Sequence, residues 1–392
     1  MPYAQFVTQR RLRRIGSEAG AAFLYTPGAN TSLMGMTFTR ASTALYRDAD
    51  GVWQSAATNV LRNGHYIGSV LTTLREGAAT NLLTYGRDLT NVAWTATDVT
   101  VAATTGADGV ALSGSRLTAT GANGTVIRAA ALVHGSAAYA GSFVAKRITG
   151  TGNIDITLDN GSTWTTVTLT AAYTQLFKTQ TLANSQFGIR LVTSGDVIDV
   201  DFCQNETGAV PSSPIGTTTA AVTRAADLWS FGWSRNPEAG TWYVDLIDLN
   251  VGATVATAFL LGTASGTNTA FSVYRYTGGK WNGQTTVAAG TSISAVATAD
   301  SFGDRAELRN VFAVSGGNIT ATLGQSINGA AEEVAAAGTA RAIDAAFSVL
   351  PARLYIGTIQ TGASPANLAI RSIVYVPGPA TSLAAMRVLA GG

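Results

Sequence analysis

Short stretches of alternating apolar and polar residues, separated by glycine-containing turns, are the feature that most restricts how this chain can fold. An Asp-Asn-Gly turn at residues 159–161 separates two such stretches, at residues 153–158 and 164–170. A second turn, at residues 48–51, ends in Asp-Gly and precedes another apolar stretch. Such turns between strand-like segments are strong hairpin signals. Many short strands at spacings of about 8–12 residues predict an all-β chain built from antiparallel β-sandwiches or jelly rolls.

The composition supports an ordered β protein. Charged residues make up 12% of the 392 residues, whereas an average globular domain has about 25%. Thr, Ser, Ala and Gly take their place, and threonine favours strands while glycine favours tight turns. Helical patterns are short, as at residues 8–15 and at residues 383–389, where Ser382 is the predicted N-cap.

Changes in sequence character predict three sections. Residues 1–80 form a leader with β hairpins, and residues 81–220 form a jelly roll that ends in a segment rich in Gly, Pro, Ser and Thr. Residues 221–392 form a second sandwich with the short C-terminal helix. A chain of this length is expected to hold two or three domains of about 150 residues each.

Charge and the N-terminus restrict the partners. The net charge of +2 argues against a nucleic-acid partner, which usually needs a basic face. One basic cluster stands out, formed by Arg10, Arg11, Arg13 and Arg14. It is interpreted as a solvated helix face, an anchor on an acidic partner or a nucleic-acid contact. The last is least favoured because no lysines support the cluster and no aromatic residues are interleaved with it. No secretory h-region and no apolar run approaching about 18 residues is found, so neither a signal peptide nor membrane insertion is expected.

Residue types that catalysis needs are sparse. His65 and His134 are too far apart for a two-histidine metal motif on one helix, and no P-loop, paired cysteines or Gly-x-Ser-x-Gly motif is present. The single cysteine, Cys203, falls in an apolar strand and is expected to be an unreactive core thiol. Asp199 and Asp201 share a strand face, which is more typical of a solvated face than of a catalytic pair. We therefore predict no catalytic residues and no enzyme.

No cofactor or metal site is predicted. The turns at residues 48–51 and 159–161 each offer two oxygen-bearing side chains, which calcium could use. Hairpin turns of this kind need no ion, and a structural calcium ion stays open.

Aromatic residues concentrate in the third section and give the best binding signal. The predicted glycan-binding residues are Trp233, Tyr274, Tyr276, Lys280, Trp281 and Asn282. The two tyrosines share one face of a predicted strand, and Trp281 follows a glycine-rich loop. The alternative is that the rings fill the sandwich core, as aromatic side chains commonly do. That alternative is favoured for Trp94 and Trp242 and stays open for Trp281.

Several short segments resemble proteins of bacteriophage particles. The matching segments are residues 38–42, 46–48, 51–53, 74–77 and 80–83. They resemble the opening of many phage-encoded fibre, spike and decoration proteins, in which a short β leader precedes a jelly roll similar to carbohydrate-binding modules. Residues 240–244, 353–357 and 370–377 resemble parts of a concanavalin-type or laminin-G-like sandwich.

This resemblance implies a virion structural protein, namely a head spike, decoration or tail-fibre component at the virion surface. The cluster of Arg10, Arg11, Arg13 and Arg14 is then the candidate anchor on other virion proteins, and host surface polysaccharide is the implied ligand. Self-association is also expected, with a trimer suggested by analogy. Two alternatives are a purely structural particle component without glycan binding and a polysaccharide-degrading enzyme.

Overall fold

The computed structural model describes residues 23–27, 35–232, 240–249, 256–262, 269–275, 280–288, 291–300, 304–315, 318–335, 341–342, 353–357, 366–377 and 382–390. Strands make up most of these residues, and the paired strands form antiparallel sheets, so the predicted all-β sandwich class is confirmed. No helix in these ranges is both long and apolar enough to cross a membrane.

The first half of the chain contains strands β1 to β17. They are β1 (Phe23–Tyr25), β2 (Met36–Thr39), β3 (Ala44–Arg47), β4 (Trp53–Ala56), β5 (Arg62–Ile67), β6 (Val70–Arg75), β7 (Ala79–Asn81), β8 (Trp94–Thr97), β9 (Val99–Thr104), β10 (Gly114–Ala119), β11 (Gly124–Arg128), β12 (Leu132–Thr149), β13 (Ile154–Thr157), β14 (Thr165–Val167), β15 (Thr174–Ser185), β16 (Gly188–Leu191) and β17 (Val197–Thr207).

The second half contains strands β18 to β30 and one described helix. They are β18 (Val222–Arg224), β19 (Leu228–Gly232), β20 (Gly240–Asp248), β21 (Ala256–Gly262), β22 (Thr269–Arg275), β23 (Lys280–Ala288), β24 (Thr291–Asp300), β25 (Arg305–Ser315), β26 (Asn318–Ile327), β27 (Glu333–Val334), β28 (Arg341–Ala342), β29 (Arg353–Ile356), β30 (Leu368–Pro377) and α1 (Leu383–Leu389).

Contacts divide the chain into two units. The terminal unit comprises residues 1–40, 60–77 and 226–392, and the central unit comprises residues 41–59 and 78–225. Strands of the predicted leader are shared between them, because β1, β2, β5 and β6 belong to the terminal unit and β3, β4 and β7 to the central unit. The leader therefore supplies strands to both units, while the boundaries of independently folding domains stay a prediction.

The central unit is a sandwich of two five-stranded sheets. Their strand orders are β15-β12-β17-β10-β9 and β14-β13-β16-β11-β8. Ile198 and Val200 of β17 are buried in the core between the sheets, as the alternation along this strand requires. Trp94 packs edge to face on Phe187 with ring centroids 6.0 Å apart, and Cys203 is buried nearby. The predicted core positions of Trp94 and Cys203 are confirmed.

The outer face of the sheet that contains β17 is covered as well. The predicted hairpin at residues 48–51 is confirmed, because β3 pairs with β4 across it and Gly51 adopts a φ of 81°. Trp53 of this hairpin joins Val144 and Phe202 of the sheet in a small apolar cluster. Side chains of β17 that point away from the sandwich core are therefore also buried.

The terminal unit is a larger sandwich. One sheet has nine strands, in the order β27-β26-β25-β20-β30-β6-β5 with β1 added on β30 and β28 on β26, and the other has the order β2-β19-β29-β21-β22-β23-β24. Trp229, Trp242 and Trp281 are fully buried between the sheets. The ring of Trp242 lies 4.8 Å from that of Tyr375, so its predicted core position is confirmed.

Helix α1 packs on the outer face of the nine-stranded sheet. Leu383 and Met386 of the helix contact Val374 and neighbouring apolar residues of the sheet. The Ser382 side chain accepts a hydrogen bond of 3.2 Å from the amide of Ala385, which confirms the predicted N-cap.

Four charged residues of the terminal unit form a buried ion cluster. Asp227 accepts a 2.9 Å hydrogen bond from Arg40 and pairs also with Arg62, which donates to Glu76 at 2.5 Å. The four side chains are 0–4% exposed. Each residue lies within two positions of a point where the chain passes between the two units. The buried ion cluster therefore joins the ends of the three segments that build the terminal unit.

Candidate functional site

A cleft in the central unit brings together side chains from distant parts of the chain. Its volume is about 300 Å³, which lies at the lower end of the range of about 300–1,000 Å³ for small-molecule sites. Leu45, Phe202 and Ile215 supply apolar surface, and Arg87 and Asp108 supply charged groups. The hairpin β3–β4, which covers the outer face of the sheet, forms one wall. The cleft therefore exists because this hairpin packs on the outer face of the sandwich.

Arg87 is the central polar group of the cleft. Its Nε and Nη2 atoms donate to Oδ1 and Oδ2 of Asp201, each at 2.8 Å, and Nη2 also lies 2.8 Å from the Asp108 carboxylate. The guanidinium lies over the ring of Phe202, 4.0 Å from its centroid. A bidentate pair of this kind fixes the arginine in one orientation. The Arg87 side chain keeps 24% of its surface exposed and stays accessible to a ligand.

Two neighbouring carboxylates favour the charged form of Arg87. Burial alone would lower the pKa of Arg87, but the hydrogen bond and charge of Asp201 and the charge of Asp108 outweigh it and raise the pKa above its usual value. Burial raises the pKa of Asp201, and hydrogen bonds from Arg87 and from the amides of Ala107 and Phe202 offset only part of this effect. Asp201 therefore acts as the buried partner that positions Arg87.

A backbone irregularity in β17 creates this arrangement. The pairing of β17 with β12 shifts register between Ser142 and Val144, and Phe202 adopts a φ of 46°. A positive φ is strained for a bulky aromatic residue. The amide of Phe202 donates a 2.8 Å hydrogen bond to Asp201 Oδ1, which holds the irregular conformation. As a result, Asp201 and Phe202 lie together on the outer face, although they are adjacent in sequence.

Hydroxyl groups line the rim of the cleft. Thr43 and Ser55 are exposed on the hairpin, and no hydrogen bond within the described part of the chain uses their hydroxyls. Each can donate one hydrogen bond and accept two. The site therefore combines an apolar floor, a fixed guanidinium and free hydroxyls.

The predicted glycan-binding residues do not come together in this cleft. Trp281 is 0% exposed and lies in the core of the terminal unit, and the neighbouring Asn282 is 2% exposed. A buried ring offers no face to a sugar, so the core alternative holds for Trp281. Lys280 is exposed at the start of β23, and Tyr274 lies in β22, opposite Asn282 in register.

Other predicted residues fall outside the described part of the chain. They are Trp233, Tyr276, Arg10, Arg11, Arg13 and Arg14. The glycan-binding and anchoring roles given to them stay predictions.

The paired aspartates of β17 have separate partners. Asp199 receives two hydrogen bonds from Arg116, at 2.7 and 3.0 Å, and Lys146 lies 3.7 Å away. Asp201 pairs with Arg87, so the two carboxylates do not form a pair with each other. In the described residues no three His, Cys, Asp or Glu side chains converge in a way that could hold a metal ion.

Sequence reasoning missed Arg87, Asp108 and Phe202 as site residues. Asp201 was noticed only for sharing a strand face with Asp199. The available signal was a break in alternation. Residues 198–201 alternate between apolar and acidic, but two apolar residues in succession, Phe202 and Cys203, follow Asp201. The contacts of Arg87 with residues more than one hundred positions away have no local signal.

Comparison with known proteins gives remote likenesses only. No family model and no curated protein matches the chain. One similar solved structure is the C-terminal CBM6 of LamC, a marine laminarinase from Zobellia galactanivorans, with 12% identity over 34% of this chain and 100% of that one, at a TM-score of 0.25. Another is the CBM40 of the Ruminococcus gnavus IT-sialidase bound to α2,3-sialyllactose, with 13% identity over 39% of this chain and 83% of that one, at a TM-score of 0.30. Both of these solved structures are carbohydrate-binding modules.

Proposed function

We propose that the chain is a virion structural protein that binds host surface polysaccharide, and that a neutral sugar unit of this polysaccharide occupies the cleft of the central unit. The observation that carries the binding proposal is the combination of an apolar floor, a fixed arginine and free hydroxyls in one cleft of about 300 Å³. The virion proposal is supported by the sequence resemblance of residues 38–53 and 74–83 to phage fibre, spike and decoration proteins.

The chemistry of the cleft matches that of a sugar ring. A sugar presents apolar C–H patches on its faces and hydroxyl groups around its edge. Leu45 and Ile215 can contact the C–H patches, while the hydroxyls of Thr43 and Ser55 can exchange hydrogen bonds with those of the sugar. Arg87 adds a charged donor whose orientation is already set by Asp201.

The charge balance of the cleft favours an uncharged ligand. Arg87 and Arg224 line the cleft, and Asp108 and the underlying Asp201 carry the opposite charges. An anionic sugar would meet the aspartates and a cationic one the arginines. A neutral hexose meets neither penalty.

The carboxylates of the cleft are arranged for binding rather than for acid–base chemistry. Asp201 is held in a bidentate pair with Arg87, and Asp108 pairs with the same guanidinium. A general acid or base must be free to exchange a proton with the substrate. We therefore propose a binding protein and not an enzyme.

Titration calorimetry with host surface polysaccharide and with oligosaccharides derived from it tests the binding proposal. Thr43→Trp places an indole in the cleft and is expected to lower affinity by about tenfold or more. The matched control is Thr58→Trp, which adds the same ring at an exposed position of the same unit that does not line the cleft. Equal affinity of both variants would contradict binding in the cleft.

Wild-type protein that binds no polysaccharide would favour the purely structural alternative. Release of reducing sugars from the polysaccharide, abolished by a single Asp or Glu substitution, would favour the enzyme. The virion proposal has its own test, which is mass spectrometry of purified particles from the phage or prophage that encodes the chain. Absence of the chain from particles that contain the other structural proteins would contradict it.

A further inference from the structure

An arginine network lies on the outer face of the nine-stranded sheet of the terminal unit. Asp245 of β20 and Glu307 of β25 are direct cross-strand partners there. Arg305 donates to both oxygens of Asp245 at 2.9 Å and to Glu307 at 3.2 Å. Arg371 donates to Asp245 at 2.8 Å, and Arg387 donates to Glu307 at 2.7 Å. Three guanidinium groups thus surround two adjacent carboxylates.

Each carboxylate of this network accepts hydrogen bonds from several donors. Asp245 Oδ2 accepts from two arginines, and Glu307 Oε1 accepts from the Tyr243 hydroxyl as well as from two arginines. Several N–H donors of the guanidinium groups are unused. In the described residues, Nη1 of Arg305, Nη1 of Arg387 and both Nε and Nη2 of Arg371 have no acceptor.

The network is layered with its positive groups outermost. The side chains of Asp245 and Glu307 are 6% and 1% exposed, whereas those of the three arginines are 29–35% exposed. Three positive charges stand over two negative ones, which leaves an excess positive charge at the surface. A partly buried positive charge attracts anions more strongly than a fully solvated one because water screens it less.

A buried hydroxyl without a partner lies on the same face. Ser372 is opposite Asp245 in register, so both side chains point to the same side of the sheet. Ser372 is 2% exposed, and its Oγ atom has no hydrogen-bond partner in the described part of the chain. A buried polar group of this kind is destabilising unless a partner completes it.

The network contains more arginine than the fold requires. Arg387 joins α1 to the sheet through Glu307, and Arg305 alone already neutralises Asp245 in a bidentate pair. Within the described residues, Arg371 donates a side-chain hydrogen bond only to Asp245, at an oxygen that Arg305 already uses. Its remaining donors are therefore available for a ligand.

We propose that Arg305, Arg371 and Arg387 bind one oxyanion on this face, the carboxylate or phosphate group of an acidic sugar unit. Planar or tetrahedral oxyanions suit guanidinium groups because two parallel N–H donors match two of their oxygens. Ser372 adds a neutral donor beside the arginines. That the oxyanion belongs to a glycan rests on the function proposed above, whereas the oxyanion site itself depends only on the terminal unit.

Titration calorimetry of the full chain tests the site with three probes, which are glucuronate, inorganic phosphate and glucose. The titrations use both the wild type and Thr43→Trp, because the latter blocks the cleft of the central unit. Glucuronate is expected to bind both proteins equally, more weakly at higher ionic strength, and glucose is expected not to bind Thr43→Trp. Arg371→Gln is expected to lower the glucuronate affinity by about tenfold or more.

The matched control is Arg353→Gln, which removes the same charge from a half-buried arginine bonded to Ser230 and Thr37. Its glucuronate affinity should stay within about twofold of the wild type. Arg371→Lys keeps the charge but loses the paired donors, and an intermediate affinity is expected. Equal losses in Arg353→Gln and Arg371→Gln, or binding of neither glucuronate nor phosphate by the wild type, would overturn the proposal. Binding of phosphate without glucuronate would overturn the glycan part alone.

The two proposals fail separately. Loss of neutral-sugar binding with glucuronate binding intact would remove the cleft as a site and leave the arginine network supported. Neutral-sugar binding without binding of glucuronate or phosphate would remove the arginine network and leave the cleft.

Discussion

Two groups of charged residues in the terminal unit use the same chemistry in opposite ways. In the buried ion cluster, two arginines face two carboxylates and all four side chains are 0–4% exposed. In the outer-face network, three arginines face two carboxylates and the arginine side chains are 29–35% exposed. The first group is buried and has as many arginines as carboxylates, whereas the second has surplus charge and unused donors at the surface.

The difference separates structural charge from charge available to a ligand. Breaking a buried ion pair leaves a charge that water cannot reach, so each member of the buried ion cluster is needed for stability. An arginine that is one third exposed keeps part of its hydration, so its ion pairs contribute less to stability than buried ones and its exposed donors can exchange water for a ligand. Arg87 of the central cleft lies between the two groups, since it is 24% exposed but is paired with two carboxylates, Asp108 and Asp201.

The largest effect is expected in the buried ion cluster. Asp227→Asn removes the negative charge that Arg40 and Arg62 share. The same carboxylate accepts a 2.9 Å hydrogen bond from the backbone amide of Glu76. The free energy of unfolding should fall by about 5 kcal/mol, the upper end of the range for a broken buried pair, because two guanidinium groups lose a partner. Urea denaturation followed by tryptophan fluorescence measures this loss.

The matched control for this variant is Asp50→Asn, at an exposed position of the hairpin turn. Its unfolding free energy should change by less than about 0.5 kcal/mol. A similar small change in Asp227→Asn would show that the buried ion cluster contributes no more than a surface pair, and the distinction between the two groups would fail.

Burial separates the tryptophans in the same way, into fully buried side chains needed for stability and partly exposed ones that contribute less. Trp281→Ala should destabilise the protein by about 4 kcal/mol, since it empties a fully buried position. Trp164 is half-buried in the central unit, where Arg190 lies 4.6 Å above its ring, and Trp164→Ala should cost about 1 kcal/mol. Thermal and urea unfolding of both variants checks this order. Trp281→Ala that loses polysaccharide binding without losing stability would instead return Trp281 to the ligand-binding residues.

Local sequence signals predicted the local structure well. The turns at residues 48–51 and 159–161, the helix from Leu383 with its cap at Ser382, and the buried position of Cys203 follow from a few adjacent residues. These features depend on turn conformation, capping and alternation, which act over a few positions. They are the features that propensity and pattern describe.

The features that the sequence did not predict depend on contacts between distant residues. Trp281 follows a glycine-rich loop, which left its burial open in the sequence, but β23 begins at Lys280 and places Trp281 in the core. The cleft needs contacts such as that between Arg87 and Asp201, and the buried ion cluster joins residues as far apart as Arg40 and Asp227. A single sequence gives no register between segments so distant, so neither group could be assembled from it.

A smaller effect is expected from pH at the outer-face network. Burial would raise the pKa of Glu307, but hydrogen bonds from Arg387 and Tyr243 and the charges of Arg305 and Arg387 lower it below its usual 4.5. Below pH 4.5 the unfolded chain therefore binds more protons at this carboxyl than the folded chain does. The stabilisation from Glu307 is present above that pH and is lost as the pH falls through the lowered pKa.

Glu307→Gln tests this sign. The variant is expected to be less stable than the wild type at neutral pH and to lose less stability between about pH 6 and about pH 3. Urea midpoints at both pH values provide the measurement, with Glu333→Gln of β27 as the control for removal of a carboxylate. An unchanged acid dependence in Glu307→Gln would show that the network does not hold this carboxylate in its charged form.

The smallest effect is expected where the ligand is proposed to bind. Arg371→Gln should change the free energy of unfolding by less than about 0.5 kcal/mol, because Arg371 is 29% exposed and Asp245 keeps its bidentate partner Arg305. Urea unfolding without ligand measures this, and repetition with glucuronate adds the effect of binding. Ligand should stabilise the wild type and not the variant, since binding to the folded state alone raises its stability. A loss of several kcal/mol without ligand would instead make Arg371 a structural residue like Arg62, and the outer face would then offer no surplus arginine for an anion to use.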